Sequence, residues 1–200
     1  MFKATLFDVD GVVLQPRKEF FSLKFAREQG IPKEAVEEFF LGDFKKCPLG
    51  QGDLKELITP YLPKWKWDKG VDAFLKYWFD SENEKNEEVL KLVADLRSKG
   101  IKCYLATQQE KYRLQYLLDT IGLKNYFDGA FSTCEVGCEK KQPEFHMFVL
   151  KKLGLNPSEI LYFDDNEKNI QTARQLGIEA YIYENLETLK QQTNQGSYPS

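Results

Sequence analysis

The most constraining feature of this sequence is a short apolar run near its beginning that ends in two carboxylates. Residues 5–7 (Thr-Leu-Phe) favour β structure, and Asp8, Asp10 and Gly11 follow at once. A run of this kind is typical of a strand buried on both faces of a parallel sheet. Ligands of open α/β sheets bind outside the carboxyl ends of the strands, where these acids would lie. Because neighbouring carboxylates repel each other, the pattern favours a divalent cation site, with a solvated turn as the alternative.

The overall composition excludes several classes of protein. The chain has 200 residues, of which 42% are hydrophobic, and a formal net charge of −3. This length suits one α/β domain with a sizeable insertion. A negative net charge gives no reason to expect nucleic acid as a partner, and no apolar run reaches the roughly 20 residues that span a bilayer. Since the N-terminus also lacks a secretory signal pattern, we expect a cytoplasmic monomer or dimer without a membrane partner. The four cysteines form no pair of CxxC units, so we expect no metal or disulfide role for them.

Residues 15–86 carry aromatic residues at helical spacing instead of strand patterns. Breaks rich in glycine and proline divide this region into about four short helices with apolar faces. We expect these helices to form a small bundle, a cap domain inserted into the sheet domain. The aromatic side chains, among them Phe20, Phe21, Phe40 and Trp78, are expected to form the core of the bundle and not a substrate site.

From Asn86 onward, strand and helix patterns alternate. Strands are expected at 101–106, 129–132, 160–163 and 178–183, and helices begin near residues 86, 110, 143 and 166. A last helix near 186–189 and a disordered polar tail over 192–197 complete the prediction. Such alternation predicts an α/β fold, a Rossmann-like three-layer sandwich around a mostly parallel sheet. Residues 1–14 and 87–200 would form this core, and residues 15–86 the helical cap.

Polar residues with related chemistry stand at the ends of three predicted strands. In a parallel sheet these ends meet at one edge, so their side chains would share a crevice. Carboxylate oxygens are the ligands that Mg²⁺ prefers, an ammonium can neutralise remaining charge, and a hydroxyl can donate to a phosphoryl oxygen. The residues are Asp8 and Asp10, Thr107, Asp164 and Asp165, with Lys140 and Lys141 in the segment that leads to the last strand.

In their order and spacing, these segments resemble the four motifs of the haloacid dehalogenase-like hydrolases. Residues 6–13 (LFDVDGVV) resemble the first motif, and residues 104–107 (YLAT) resemble the second. Lys140 corresponds to the lysine of the third motif, and residues 161–165 (LYFDD) with Asn169 resemble the fourth motif. The resemblance covers nearly the whole chain. The inserted helices resemble the family's C1-type cap, and the nearest likeness is to its small sugar phosphatases.

The resemblance implies a role for each motif residue. Asp8 would be the nucleophile that forms an aspartyl-phosphate. Asp10 would be the general acid and then the base, with its backbone carbonyl facing the metal. Asp164 would complete the Mg²⁺ site with Asp8, while Asp165 would bind the metal through water or orient the site. Thr107 and the motif lysine would stabilise charge on the phosphoryl oxygens.

Two departures from the family pattern affect these assignments. Gln108 follows Thr107 where many relatives carry asparagine, so its contact with the phosphate is expected to differ. The lysine motif reads Lys140-Lys141-Gln-Pro143 instead of KPDP. Counting back from Pro143 favours Lys140 as the phosphate-facing lysine and leaves Lys141 as the alternative.

Three other charged or titratable residues near the motifs are given no role in the chemistry. Arg17 follows the first motif and is expected to be a solvated hinge charge rather than a substrate contact. Arg113 is expected on the surface of its helix, and His146, the only histidine, is expected to be structural.

The sequence therefore predicts a Mg²⁺-dependent phosphatase of a small phosphorylated metabolite, with a sugar phosphate favoured. A phosphomutase shares the same core and stays an alternative, as does a regulatory or binding protein that kept the fold without the activity. True dehalogenation is disfavoured, because enzymes of that type lack the acid at the position of Asp10.

Overall fold

The computed structural model describes residues 2–195, with side chains up to residue 193. Within these residues, five parallel strands form one sheet. The strands are β1 (Ala4–Phe7), β2 (Lys102–Thr107), β3 (Gly129–Ser132), β4 (Ile160–Asp164) and β5 (Glu179–Ile182). Their order across the sheet is β3-β2-β1-β4-β5. The strand order runs outward in both directions from β1, which confirms the α/β, Rossmann-like fold.

Between β1 and β2 the chain forms a helical block instead of strands. Its α-helices are α1 (Phe21–Gln29), α2 (Lys33–Leu41), α3 (Leu54–Ile58) and α4 (Val71–Asp80), with short 3₁₀ turns at Asp43–Leu49 and Thr59–Tyr61. These helices pack around aromatic residues, with the rings of Phe25 and Phe74 centred 5.1 Å apart. Trp65 is completely buried at the centre and donates from Nε1 to the Ala35 carbonyl at 2.8 Å.

The remaining helices cover the two faces of the sheet. They are α5 (Glu87–Ser98), α6 (Lys111–Gln115, continued by a π-helical turn to Thr120), α7 (Thr133–Val136), α8 (Pro143–Leu153), α9 (Glu167–Gln175) and α10 (Leu186–Gln195). Alternate residues of β1 enter opposite apolar clusters: Phe7 packs with Val89 of α5, and Leu6 packs with Phe145 of α8. This alternation produces the three layers, because successive strand side chains point to opposite faces.

Two linkers join the helical block to the sheet and run side by side. Backbone N–H of Gln15 donates to the Glu84 carbonyl at 2.8 Å, and N–H of Asn86 donates to the Val13 carbonyl at 2.8 Å. The helical block also has its own apolar cluster, made of residues 21–79. We propose on this basis that residues 15–86 form a cap domain, and that residues 1–14 and 87–200 form the core domain.

Two parts of the secondary structure differ from the prediction. The short helix α7 was not predicted, since four residues carry too little periodicity to be recognised. The prediction of a disordered tail was wrong for residues 192–195, because α10 continues to Gln195. Leu189 and Thr193, one helical turn apart, are both buried, which shows an inward face that extends beyond Leu189. The rest of the predicted tail, 196–197, lies outside the described residues.

Within the part of the chain that the structure describes, no helix is long and apolar enough to cross a membrane. The four cysteines are free thiols, two of them buried.

Candidate active site

The site begins where the central strand β1 and its neighbour β4 end. Asp8 follows β1, and its backbone N–H donates to the Phe163 carbonyl of β4 at 2.9 Å. Phe7 is in register with Phe163, so Asp8 and Asp164 leave neighbouring strands at the same level. One oxygen from each of Asp8, Asp164 and Asp165 lies within 4.8 Å of the other two. Sheet register therefore brings together carboxylates that are far apart in sequence.

Lys140 lies between two of these carboxylates. Its Nζ is 2.6 Å from Asp8 Oδ1 and 2.7 Å from Asp164 Oδ2, and its side chain is only 3% exposed. Lys141, by contrast, is half exposed and pairs with Glu139 at 2.7 Å. The lysine that reaches the site is thus Lys140, the one favoured by counting from the proline.

The carboxylates of Asp164 and Asp165 have very different surroundings. Asp164 is completely buried, and both of its oxygens accept hydrogen bonds. Asp165 accepts a hydrogen bond only from its own backbone among the described residues. The donors to Asp164 are Lys140 Nζ, the Tyr162 hydroxyl, Nδ2 of Asn169 at 3.0 and 3.1 Å, and the backbone N–H of Asn166 at 2.8 Å. Asp165 is therefore the carboxylate with free oxygens, which the sequence had not distinguished.

The electrostatics of the cluster fit a divalent cation. Burial raises the pKa of Asp8, and the neighbouring Asp164 raises it further, although Lys140 opposes both. Burial and Asp164 likewise raise the pKa of Asp165. Three carboxylates face a single ammonium, so the group carries excess negative charge when all are ionised. Oxygen ligands held this closely, with one carboxylate still free, suit Mg²⁺.

Gly11 is required by the position of Asp165. Its φ is +82°, a region that residues with a side chain rarely adopt. A Cβ at this position would lie 2.5 Å from Asp165 Oδ2, far inside van der Waals contact. The glycine of the first motif thus allows the loop after β1 to pass directly beside the free carboxylate.

Thr107, the last residue of β2, offers a hydroxyl without a protein partner. Its side chain is fully buried, and Oγ1 has no hydrogen bond among the described residues. Leaving a buried hydroxyl unpaired costs about 1–3 kcal/mol, which is expected where a ligand supplies the missing partner. Gln108, the next residue, is exposed.

Asp10 lies in a separate network of donors. Arg17 Nη2 and Gln109 Nε2 reach its Oδ2 at 2.6 and 2.7 Å, and Arg113 Nη2 lies 3.3 Å from its Oδ1. Burial opposes ionisation here, but the two arginines outweigh it and lower the pKa of Asp10. The side chain of Asp10 is not part of the three-carboxylate cluster among the described residues.

Two expectations about this region were wrong. Arg113 is not a surface residue, since its side chain is only 3% exposed and bonded to Asp10. Arg17 is not a solvated charge, because it pairs with Asp10 and also with Glu82 at 3.3 Å. His146, the residue expected to be structural, is buried, and its Nε2 lies 2.9 Å from the Lys140 carbonyl.

Gln109 was missed in the sequence, whereas a signal exists for Arg113. Arg113 and Leu117 are spaced four apart, and Leu117 belongs to the apolar core, so helical periodicity places Arg113 on the buried face. Gln109 precedes α6, which begins at Lys111, so no such periodicity applies to it. Buried polar side chains need partners, and both find one in Asp10.

Comparisons with known proteins identify a family and several relatives of this chain. Residues 2–177 match the family described as haloacid dehalogenase-like hydrolase. A phosphorylated carbohydrates phosphatase of Thermotoga maritima is 27% identical over 182 residues, 88% of this chain and 82% of that protein. A phosphoglycolate phosphatase of Aquifex aeolicus is 23% identical over 178 residues, covering 88% and 81% of the two chains.

Solved structures share the fold. An enzyme from Bacteroides thetaiotaomicron, solved with magnesium and inorganic phosphate, has a TM-score of 0.79 over 94% of this chain and 99% of its own, at 22% identity. A predicted HAD-like family hydrolase from Porphyromonas gingivalis has a TM-score of 0.78 over 97% of this chain and 98% of its own, at 20% identity.

Proposed function

The chain belongs to the haloacid dehalogenase-like hydrolases, and we propose that it hydrolyses the phosphate monoester of a small metabolite in a Mg²⁺-dependent reaction. One observation carries the proposal. Asp8, bound to Lys140, meets the free carboxylate of Asp165 at the sheet edge where the unpartnered Thr107 hydroxyl also lies. A nucleophile, a cation site and phosphate donors in one place are what phosphoryl transfer requires.

Asp8 is the nucleophile in this mechanism. Its Oδ1 is fixed by Lys140 and by the backbone N–H of Val9 at 2.7 Å, which orients the carboxylate towards the crevice. Attack on phosphorus forms an aspartyl-phosphate, and water then releases phosphate and restores Asp8. Splitting one displacement into two easier steps is the general advantage of covalent catalysis.

Asp8 and Asp165, together with the backbone carbonyl of Asp10, would hold the Mg²⁺ ion. A bound Mg²⁺ would offset the charge of the phosphate so that a carboxylate can approach it. The family resemblance favoured Asp164 as the second carboxylate ligand. Since Asp164 is already bonded to Lys140, Tyr162 and Asn169, we assign it instead to holding Lys140 in place.

Asp10 is the general acid and base. Arg17, Arg113 and Gln109 fix its carboxylate beside the crevice. In the first step it donates a proton to the departing alkoxide, and in the second it takes a proton from the attacking water. The arginines favour its ionised form, which is the form that activates water.

Thr107 and Lys140 would stabilise the phosphoryl oxygens. The Thr107 hydroxyl is buried and free to donate. The three N–H groups of Lys140 bond to Asp8, to Asp164 and, at 3.3 Å, to the Ala106 carbonyl, so Lys140 would act through the positive charge of its buried ammonium. Donors fixed in advance in a site of low dielectric stabilise developing charge most effectively. Gln108 is exposed next to Thr107 and is a further candidate for substrate contact.

The substrate class and the cellular setting extend this proposal. The names of two relatives point to phosphorylated carbohydrates and phosphoglycolate as their substrates, so a small phosphorylated metabolite is proposed here. We propose cytoplasmic action on such a molecule, without nucleic acid or membrane as a partner. A phosphomutase or a catalytically silent binding protein would be the competing functions.

Hydrolysis of 4-nitrophenyl phosphate tests the reaction. Activity is expected with Mg²⁺, and it should disappear with EDTA and in the Asp8→Asn variant. Asp68→Asn is the matched control, because Asp68 is an exposed carboxylate of the helical block. Activity that survives Asp8→Asn would refute the nucleophile, and no hydrolysis of any phosphate ester would favour the binding protein. A product isomer that retains phosphate would indicate the mutase.

A further inference from the structure

A cleft between the helical block and the sheet starts at Asp10. Its volume is about 460 Å³, within the range of about 300–1,000 Å³ typical of small-molecule sites. Asp10, Gln108 and Gln109 lie at its sheet end. Because Asp10 would protonate the departing oxygen, the organic part of the ester would extend from Asp10 into this cleft.

The wall contributed by the helical block is apolar and exposed. Phe20 and Leu41 are each 65% exposed, and both line the cleft. The expectation that Phe20 belongs to the core of the bundle was therefore wrong. Only one other large hydrophobic residue in the described part of the chain is comparably exposed, Met147 at 56%. Leaving two such side chains in water is unfavourable, at about 25 cal/mol per Å² of apolar surface, unless a ligand covers them.

An aromatic layer supports this exposed surface. Trp78, Phe40 and Phe44 also line the cleft. The ring centre of Trp78 lies 4.9 Å from the ring centre of Phe40 and 5.3 Å from that of Phe44, and both pairs are packed edge to face. Rings packed in this way are held in place, so they form a preorganised wall.

Most polar groups of the cleft already have partners. Arg17, Gln109 and Arg113 each donate to Asp10. Glu82 pairs with Arg17 and accepts from Trp78 Nε1 at 3.2 Å. The polar groups of the lining that have no hydrogen bond among the described residues include the side chains of Ser22, Glu37 and Gln108 and the Nε and Nη1 groups of Arg113. A sugar would bury several hydroxyls here, and each one left without a partner costs free energy.

We propose that the preferred substrate is a phosphate monoester whose organic group presents an apolar face, an aromatic ring or a hydrocarbon, in place of a polyhydroxylated sugar. This inference rests on the proposed phosphatase function and selects among its substrates. Phe20 and Leu41 determine the specificity by covering the apolar group, while Asp10 and the arginines act on the phosphate end.

The test compares three esters of primary alcohols, so that the leaving oxygens are chemically alike: benzyl phosphate, hexyl phosphate and glucose 6-phosphate. The value of kcat/KM for benzyl or hexyl phosphate is expected to exceed that for glucose 6-phosphate by at least about tenfold. The difference between the benzyl and hexyl esters shows whether the group is aromatic or aliphatic. Phe20→Ala/Leu41→Ala should lower the preference about tenfold, whereas Met147→Ala, which changes a comparably exposed residue outside the cleft, should leave it unchanged.

Binding of benzylphosphonate, measured by calorimetry, tests the cleft independently of turnover. Wild type and Met147→Ala should bind it more tightly than Phe20→Ala/Leu41→Ala. Equal or better use of glucose 6-phosphate, or a preference that survives the double substitution, would overturn the inference and leave the phosphatase function intact. If no ester is hydrolysed, the phosphatase function fails, and benzylphosphonate binding alone then tests the inference about the cleft. Loss of binding in the double variant would support the inference. Absence of binding to wild type would overturn it.

Discussion

The ammonium of Lys140 lies 2.6 Å from Oδ1 of Asp8, and both side chains are almost completely removed from solvent. The same ammonium is 2.7 Å from Asp164, which is fully buried. One cation therefore holds two carboxylates at the ends of neighbouring strands. Removing it would leave buried charges without a partner, which is far more costly than breaking a surface pair.

Lys140→Met should lower both stability and activity. We expect a loss of about 3–5 kcal/mol in the free energy of unfolding, because a buried ion pair loses one partner. Remaining folded protein should show kcat/KM reduced by about 100-fold or more, since the buried positive charge beside the nucleophile is gone. Urea unfolding and ester hydrolysis measure the two effects. Lys141→Met is the matched control, and its exposed pair with Glu139 should contribute no more than about 1 kcal/mol.

We expect Asp165→Asn to affect mainly the Mg²⁺ affinity and Asp164→Asn to affect mainly the free energy of unfolding. Asp165 has free oxygens, so Asp165→Asn should weaken Mg²⁺ binding about tenfold or more while stability changes little. Asp164 is buried among several donors, so Asp164→Asn should lower the free energy of unfolding by about 1–3 kcal/mol. Calorimetric Mg²⁺ titration and urea unfolding of both variants provide the comparison. Equal Mg²⁺ affinity in Asp165→Asn and wild type would contradict the assignment.

Gly11→Ala should raise the Mg²⁺ concentration required for half-maximal activity. The added Cβ would lie 2.5 Å from Asp165 Oδ2 and force that carboxylate to move. The left-handed conformation also costs about 1–2 kcal/mol for a residue with a side chain. Gly100→Ala is the control, since Gly100 has φ +84° but nothing within 4 Å of its Cβ position. It should lose similar stability and keep its Mg²⁺ dependence; a shift of equal size in both variants would count against the contact.

His146 should make the protein less stable in mild acid. Burial lowers the pKa of His146 to about 4, from an ordinary value of 6.5. As the pH falls below about 6.5, the unfolded chain binds a proton that the folded protein excludes, so stability decreases until about pH 4. Between pH 7.5 and 5 this group should contribute a loss of about 2 kcal/mol in the free energy of unfolding.

The His146→Gln variant isolates this effect, because glutamine does not titrate and can still donate to the Lys140 carbonyl. Urea unfolding of both proteins at pH 7.5 and pH 5 gives the difference. A decrease in stability of the same size in wild type and variant would show that other groups are responsible.

Much of the fold could be predicted from local patterns. The alternation of apolar strands and amphipathic helices after Asn86 was sufficient for the parallel sheet, because both periodicities are read over a few residues. Helix α7 and the extension of α10 were not predicted, since one is too short and the other too polar for a clear pattern. The positions of the strand ends also placed Asp8, Thr107 and Asp164 at one edge.

The contacts of Asp10 could not be predicted in the same way. Arg113 is 103 residues away in sequence, and its guanidinium reaches Asp10 only because the helix after β2 packs beside the loop after β1. Gln108, chosen for its position after Thr107, is exposed, while Gln109 points to Asp10. Gln108 and Gln109 are adjacent in the chain, and only the tertiary packing decides which of the two side chains faces inward.

The sequence by itself determined which strands end in acids, and hence that carboxylates would gather at one edge of the sheet, because strand ends follow from local apolar patterns and the ends of parallel strands meet at one edge. Only the tertiary structure decided that Asp164 is saturated by donors while Asp165 is free, and that Phe20 and Leu41 face a cleft and not the bundle core. The physical reason is that hydrogen-bond partners and exposure depend on how distant segments pack, which no local pattern encodes.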